Sequence, residues 1–150
     1  MSIAIDIDGV TNAINFDFEQ LVEKVYNVRT IYEDTIEPER GGTIQVQPTN
    51  AAFYRVQVEV LSGRSILIGA TRVRSFGVMT VEVFALPGRG PSSRNTLVGN
   101  VLGVFLRRRT ANYAFVAAGG AGNQYEHAKL AKQGARPRSL LTLPFQFDCT

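Results

Sequence analysis

The stretch from Phe53 to Pro87, FYRVQVEVLSGRSILIGATRVRSFGVMTVEVFALP, constrains the fold more than any other part of the chain. In Tyr54-Val56-Val58-Val60 one set of side chains faces one way, while Arg55, Gln57 and Glu59 face the other. Val78 to Leu86 repeats the alternation, with Thr80 and Glu82 set among Val81, Val83, Phe84 and Leu86. A period of two, rich in β-branched and aromatic residues, is the pattern of half-buried antiparallel strands. The stretch predicts the central meander of a sheet.

The remaining segments arrange themselves around that meander. Ile3, Ile5 and Ile7 alternate with Ala4, Asp6 and Asp8 as a short strand or an extended arm. Phe18, Leu21, Val22 and Val25 fall at i, i+3, i+4 and i+7, with Tyr26 extending the stripe. This predicts an amphipathic helix that starts between Thr11 and Asn15, either of which can cap it, and ends near Asn27. Ile31 and Tyr32 read as a short strand. Residues 35–52 carry Pro38, Gly41-Gly42, Pro48 and Asn50 and read as a long loop. After the Pro87-Gly88-Arg89-Gly90-Pro91 turn, Ser92 or Ser93 can cap a second helix, Asn95 to Arg108, with the stripe Leu97, Val98, Val101, Leu102 and Phe105. Gly99 and Gly103 on it suggest close packing on the sheet, and Arg107, Arg108 and Arg109 crowd its last turn, complementing the helix dipole.

Tyr113, Phe115 and Ala117 give another short strand. Gly119 to Arg138, rich in glycine, reads as a second long flexible loop with one helical turn around Glu126 to Ala131. The chain closes on Leu141, Leu143, Phe145 and Phe147, where Pro144 makes the strand an edge strand or turns its unpaired position outward. The expected fold is α+β in a single domain, 1–150. It is a mostly antiparallel sheet with two helices packed on one face and two long flexible loops.

Composition narrows the function. A chain of 150 residues, 45% hydrophobic, can bury one core. No apolar run approaches the roughly 18–20 residues needed to span a bilayer. MSIAIDIDG has neither the basic region nor the cleavage site of a signal peptide. The single Cys149 excludes an internal disulfide and a thiolate zinc site, which fits a reducing cytosol. The net charge of +3 hides an asymmetry: residues 1–40 hold nine acids against Lys24, Arg29 and Arg40, and the remainder holds thirteen bases against four acids. Halves so separated suit an acidic face on one subunit meeting a basic face on the next.

Enzyme chemistry finds few parts. Ile3-Ala4-Ile5-Asp6-Ile7-Asp8-Gly9-Val10 resembles the first motif of haloacid-dehalogenase-type phosphatases, which implies Asp6 as nucleophile, Asp8 as acid/base and magnesium between them. Such a site also needs a phosphate-clamping lysine and a later acidic pair. The chain offers Lys24, Lys129 and Lys132, and beyond Glu82 only the isolated Glu126 and Asp148. The strand order also lacks the βαβ pattern of a parallel sheet. His127, the only histidine, reads as a solvated side chain. An alternative of another class is a nucleic-acid-binding module, with Arg107–Arg109 and the cluster of Lys129, Lys132, Arg136 and Arg138 on phosphates. The aromatics, however, lie on apolar strand faces rather than between the basic residues, as stacking would need.

The order of elements carries a further resemblance. An N-terminal amphipathic helix leads into a sheet whose strand Thr80-Val81-Glu82-Val83-Phe84-Ala85-Leu86-Pro87-Gly88 precedes a polar turn, a second helix and two closing strands. This resembles the tail terminator proteins of long-tailed bacteriophages, the minor tail protein U type. The resemblance implies a non-enzymatic structural protein with no cofactor and no metal. It implies a ring, hexameric in the family, that caps the tail tube, ends its growth and presents the surface for head attachment. Partners would be further copies of the chain, the tail tube protein and a head-completion or connector protein. DNA would pass through the ring without specific binding, and no membrane is involved. The place would be the virion tail, assembled in the host cytoplasm. Beside it, the charge pattern nominates Arg107, Arg108, Arg109, Glu37, Glu39, Arg40, Arg72 and Arg74 as subunit or partner contacts, with Arg55 and Glu59 on the exposed sheet face.

Overall fold

The computed structural model of the chain describes residues 4–32, 51–65, 73–88, 91–116, 123–133 and 136–149. Its strands are β1 (Arg29–Tyr32), β2 (Phe53–Ser65), β3 (Val73–Phe84), β4 (Ala114–Phe115), β5 (Glu126–Gln133) and β6 (Arg136–Cys149). They form one sheet in the order β1-β2-β3-β6-β4, with β5 also paired to β6. Every pairing is antiparallel except β1 with β2, which is parallel. The expected α+β architecture with a mostly antiparallel sheet is what the chain adopts.

The meander is the β2–β3 hairpin, in register from Phe53↔Phe84 to Ser65↔Val73 with a bulge between Val60 and Ser62. Alternation sorts its side chains as the sequence dictates. Tyr54, Val56 and Val58 join Met79, Val81 and Val83, and then Leu141, Leu143, Phe145 and Phe147 of β6, in one buried layer. Gly77 sits in that layer opposite Phe145, where a Cβ would run into the Glu59 carbonyl and the Phe145 ring. A side chain there would overpack the core.

Both helical segments lie on this face. The first begins with α1 (Ile7–Phe18), passes through a π-helical turn (Glu19–Glu23) and ends in α2 (Lys24–Tyr26), where Asn27 adopts the left-handed conformation at φ 54°. It starts earlier than the Thr11–Asn15 window, because Asp6 caps it: the Asp6 carboxylate accepts from the Gly9 backbone N–H at 2.6 Å. Ile7 thus leaves the expected arm, and Ile5 makes an isolated parallel bridge to Cys149. The buried stripe is Val10, Ile14, Phe18 and Val22, while Val25 and Tyr26 are exposed. A spacing of four drifts around an α-helix; the wider π turn after Phe18 returns Val22 to the sheet and carries Val25 away from it.

The second helix, α3, runs Pro91–Phe105. Proline at its first turn is tolerated because that N–H has no helical partner. Leu97, Val98, Val101 and Phe105 are buried against the sheet, and the Tyr54 hydroxyl donates to the Leu97 carbonyl at 2.7 Å. Gly99 and Gly103 do not pack on the sheet. Both face open space with nothing within 4 Å of a Cβ position, on the side away from the core stripe.

The second expected loop is largely strand. Glu126–Gln133 forms β5 and β6 already begins at Arg136, so neither the helical turn around Glu126 to Ala131 nor a flexible 119–138 segment describes these residues. Its side chains are mostly exposed on both faces, which leaves no period-two pattern to read, and backbone pairing to β6 fixes the segment instead. Nor is β6 an edge strand. It pairs with β3 on one side and with β5 and β4 on the other. The Ala85 N–H to Pro137 carbonyl bond, 3.0 Å, sets the alternation of β6 groups between its two neighbours. Pro144 then turns its missing N–H to the side where β5 ends at Thr142 and β4 begins at Phe145. The first loop, 35–52, falls outside the described residues but for Ala51 and Ala52.

Because Gly99 and Gly103 lie in helix interior with open space around them, replacing each by alanine should stabilise the chain by about 0.5–1 kcal/mol. Chemical denaturation of Gly99→Ala and Gly103→Ala reads this directly; a loss of stability would mean that side of α3 is covered.

Candidate functional site

The Asp-x-Asp-Gly string resolves first. Asp6 is committed to the helix cap, and Asp8 lies in the first turn, where a carboxylate complements the dipole. Local structure thus accounts for both carboxylates. Among the described residues no group of three or more His, Cys, Asp or Glu converges as a metal site.

The three consecutive arginines do not end α3; they follow it. The helix stops at Phe105, the Arg108 N–H returns to the Phe105 carbonyl at 3.1 Å, and Arg107 takes the left-handed conformation at φ 60°. Glycine is the usual occupant of that position, and an L side chain there costs about 1 kcal/mol. The three side chains then part. Arg107 is exposed and its Nε donates to the Gln124 Oε1 at 2.8 Å. Arg108 turns inward, its Nε donating to the Tyr113 hydroxyl at 3.1 Å and its Nη2 lying 3.5 Å from the Asp17 carboxylate. The Tyr113 hydroxyl itself donates to Asp17. Arg109 is exposed again, in a bridge to Ala114.

Two concave surfaces flank this turn. An open cavity of about 760 Å³ is lined by Leu106, Arg107, Gln124, Tyr125 and His127 among others. Leu106 and Tyr125 are large side chains left substantially exposed beside the Arg107 guanidinium. A second cavity, about 480 Å³, brings Arg109 together with Arg74, whose Nε pairs with the nearly buried Asp148 at 3.1 Å. Of the nominated contact residues the structure therefore joins Arg74 and Arg109, sets Arg107 on the neighbouring surface, and turns the part-buried Arg108 towards Tyr113 and Asp17. Glu37, Glu39, Arg40 and Arg72 lie outside the described residues.

The other basic residues have partners of their own on the sheet face away from the helices. Phe53 and Phe84 stack there at 4.2 Å, with Arg136, Arg55 and Arg138 over the rings at 5.1, 5.5 and 5.8 Å. Arg136 is buried and donates to the Ala51 carbonyl at 2.7 Å, and Glu82 lies 3.8 Å from Arg55 and 3.9 Å from Arg138. On the helix side, Arg94 is 92% buried by its 8% exposure, though the sequence reading passed over it. Its signal was available: it stands three and four residues before Leu97 and Val98, in line with the apolar stripe.

Two tyrosines tie the layers together and titrate abnormally. Burial pushes the Tyr54 phenol well above the ordinary tyrosine range. Burial and then the hydrogen bond to Asp17 do the same to Tyr113, with Arg108 pulling partly back.

No family model matches the sequence, and no curated protein does. Among the solved structures that match, one has a TM-score of 0.59 and 14% sequence identity, covering 91% of this chain and 94% of its own. At that identity the likeness speaks for the fold alone, and the name that structure carries states no function.

A phenol whose folded value is raised stays protonated after the unfolded chain has begun to lose that proton, near pH 10. Stability should therefore hold up to about pH 10 and fall as pH climbs above it. Thermal unfolding across this range checks it, and Tyr54→Phe and Tyr113→Phe should each flatten the fall. At neutral pH Tyr113→Phe should also cost about 1–3 kcal/mol, since it leaves Asp17 short of a donor.

Proposed function

We propose that this chain is a structural assembly protein, a tail-terminator-type ring subunit that caps a phage tail tube and offers a surface for head attachment. The observation that carries this reading is the surface at the end of α3. It is concave and wet, it exposes a leucine and a tyrosine beside an arginine, and that arginine occupies a backbone position where glycine would be cheaper. Tyr and Arg are the residues that dominate protein–protein contacts, and they do so from such mixed surfaces. Cavities of this kind without converging acid, base and nucleophile suit recognition better than turnover.

The element order adds support. A strand running through Val81, Val83 and Phe84 passes by Pro87-Gly88 into α3, and the last strand returns beside it. A closed ring needs two different patches on each subunit, one meeting the other around the rotation axis. Arg107 and Arg109 with Arg74 form one patch in this proposal. The other is drawn from the acidic first third. Several of its carboxylates are already used internally: Asp17 on Arg108, Glu19 on Lys24, and Glu23 on the Thr30 N–H and Tyr32 hydroxyl. The remaining acids, Asp8 and residues 33–39, are the candidates. Hexameric stoichiometry, the tail tube and connector partners and the virion location belong to the same proposal.

Native mass measurement of the protein, alone and with tail tubes, is expected to show a closed oligomer. The pair Arg107→Glu and Arg109→Glu should weaken it at least tenfold while the unfolding midpoint stays unchanged. Arg108→Glu should instead lower the unfolding midpoint, because its part-buried guanidinium holds the Tyr113 hydroxyl and the Asp17 carboxylate. Tails made without this protein that keep normal length and still join heads would sink the proposal, as would a double variant that assembles like the parent.

A further inference from the structure

On the side of the sheet that carries the helices, polar groups gather at one corner, beneath the first turn of α3. Cross-strand register sets out a row across the sheet: Thr30 opposite Tyr54, Tyr54 opposite Val83, Val83 opposite Ser139, and Ser139 opposite Lys129. The next row runs from Val56 and Val81 through Leu141 to His127. The Tyr54 hydroxyl bond to Leu97 fixes α3 over the first row. One turn earlier on the same helical stripe stands Arg94.

This corner holds two buried polar groups with no partner in the protein. Arg94 is 8% exposed and its Nε makes no hydrogen bond; Ser139 is fully buried and its Oγ makes none either. Buried donors are paired in more than about nine cases in ten, and an orphan one costs roughly 1–3 kcal/mol. His127 lies close enough to Arg94 and Lys129 that burial, then those two cations, hold its imidazole below the ordinary histidine range. Three basic side chains thus gather from α3 and β5, and the helix-side carboxylates have other partners: Asp17 holds Arg108 and Tyr113, Glu19 holds Lys24, and Glu23 holds Thr30 and Tyr32. Glu126, the nearest acid in sequence, belongs to the opposite face by alternation. His127 is exposed and lines the 760 Å³ cavity, so the corner borders solvent on that side.

We propose that this corner is an oxyanion site of phosphate type, with the Arg94 guanidinium and Ser139 hydroxyl as buried donors and Lys129 and His127 closing its open side. A tetrahedral dianion offers enough acceptor oxygens to satisfy the orphan donors, and its charge offsets the mutual repulsion of the cations. A planar monoanion does less of both. Through His127 the site borders the cavity that Arg107 also lines, but its donors lie on α3, β5 and β6 and anion binding there does not depend on ring assembly.

The test is a titration of the full-length protein with inorganic phosphate, against sodium chloride and sodium acetate at matched ionic strength. Phosphate is expected to raise the melting temperature saturably and to shift the His127 imidazole resonance, which is unambiguous because the chain has one histidine. Arg94→Leu, which suits the apolar stripe, should lose both responses, and the exposed Lys129→Gln should weaken phosphate binding at least threefold with its fold intact. If acetate acts as well as phosphate, or wild type shows no saturable response, or Lys129→Gln responds like the parent, the site is not there. The Lys129→Gln comparison decides the matter even if Arg94→Leu does not fold.

Discussion

The ring of Phe18 is where the layers of this protein meet. Fully buried, it stacks on Phe105 of α3 at 5.7 Å and takes Tyr54 of β2 edge-on at 5.5 Å and Tyr32 of β1 at 6.3 Å. From Phe105 the aromatic contact continues to Phe115 and on to Phe145 of β6 at 5.4 and 5.6 Å. One side chain of the first helix therefore touches the second helix and two strands, and through Phe105 it reaches the far edge of the sheet at β6 and β4. Burying a phenylalanine contributes about 1.5–3 kcal/mol, and each such ring pair about 0.5–1.5 more. The π turn that begins immediately after Phe18 keeps Val22 on the same face, so the helix continues along the core instead of rolling off it.

That hub explains which parts of the fold the sequence made legible. Wherever a segment puts one face in water and one against the aromatic core, its hydrophobic period survives in the sequence. The β2–β3 hairpin, the buried face of β6 and the α3 stripe were all readable for this reason. The pattern fails where both faces are wet. In β5, Glu126, His127, Lys129 and Lys132 follow one another with little apolar content, and the strand exists because β6 presents a free row of backbone groups to it. No side-chain rule reaches such a strand. The helix start was misplaced for a different reason: Asp6 and Asp8 look like chemistry when read with the isoleucines before them, and like a cap when read with Gly9 after them.

The arginines show how little a charge count says about a site. Read along the sequence, Arg107, Arg108 and Arg109 are one basic cluster. In space the left-handed turn at Arg107 sends them to three environments, and Arg108, part-buried, is tied to Tyr113 and Asp17. Arg136 and Arg138 lie two apart in β6 on one face, and they cover the Phe53–Phe84 stack rather than face a polyanion. Held over rings, with carbonyls and Glu82 supplying acceptors, Arg136 and Arg138 find their partners within the chain. Part of the basic excess is therefore engaged within the chain itself, which weakens the case for reading it as a nucleic-acid surface.

Arg136 and Arg94 make the sharpest contrast, because both are almost fully buried and their fates differ. Arg136 has a ring beneath it and the Ala51 carbonyl at 2.7 Å, so its burial is compensated by groups on its own chain. Arg94 sits where the α3 stripe calls for a leucine or valine, and its Nε has no acceptor. A hydrophobic residue of that size would fill the space without the desolvation cost of a charge, and buried ion sites replaced by apolar groups often gain stability. The folded chain gains nothing visible from the guanidinium, and neither the hub at Phe18 nor the pairing of β6 needs it. What a charge at that corner can supply, and an aliphatic side chain cannot, is a donor for an anion arriving from the side that His127 leaves open.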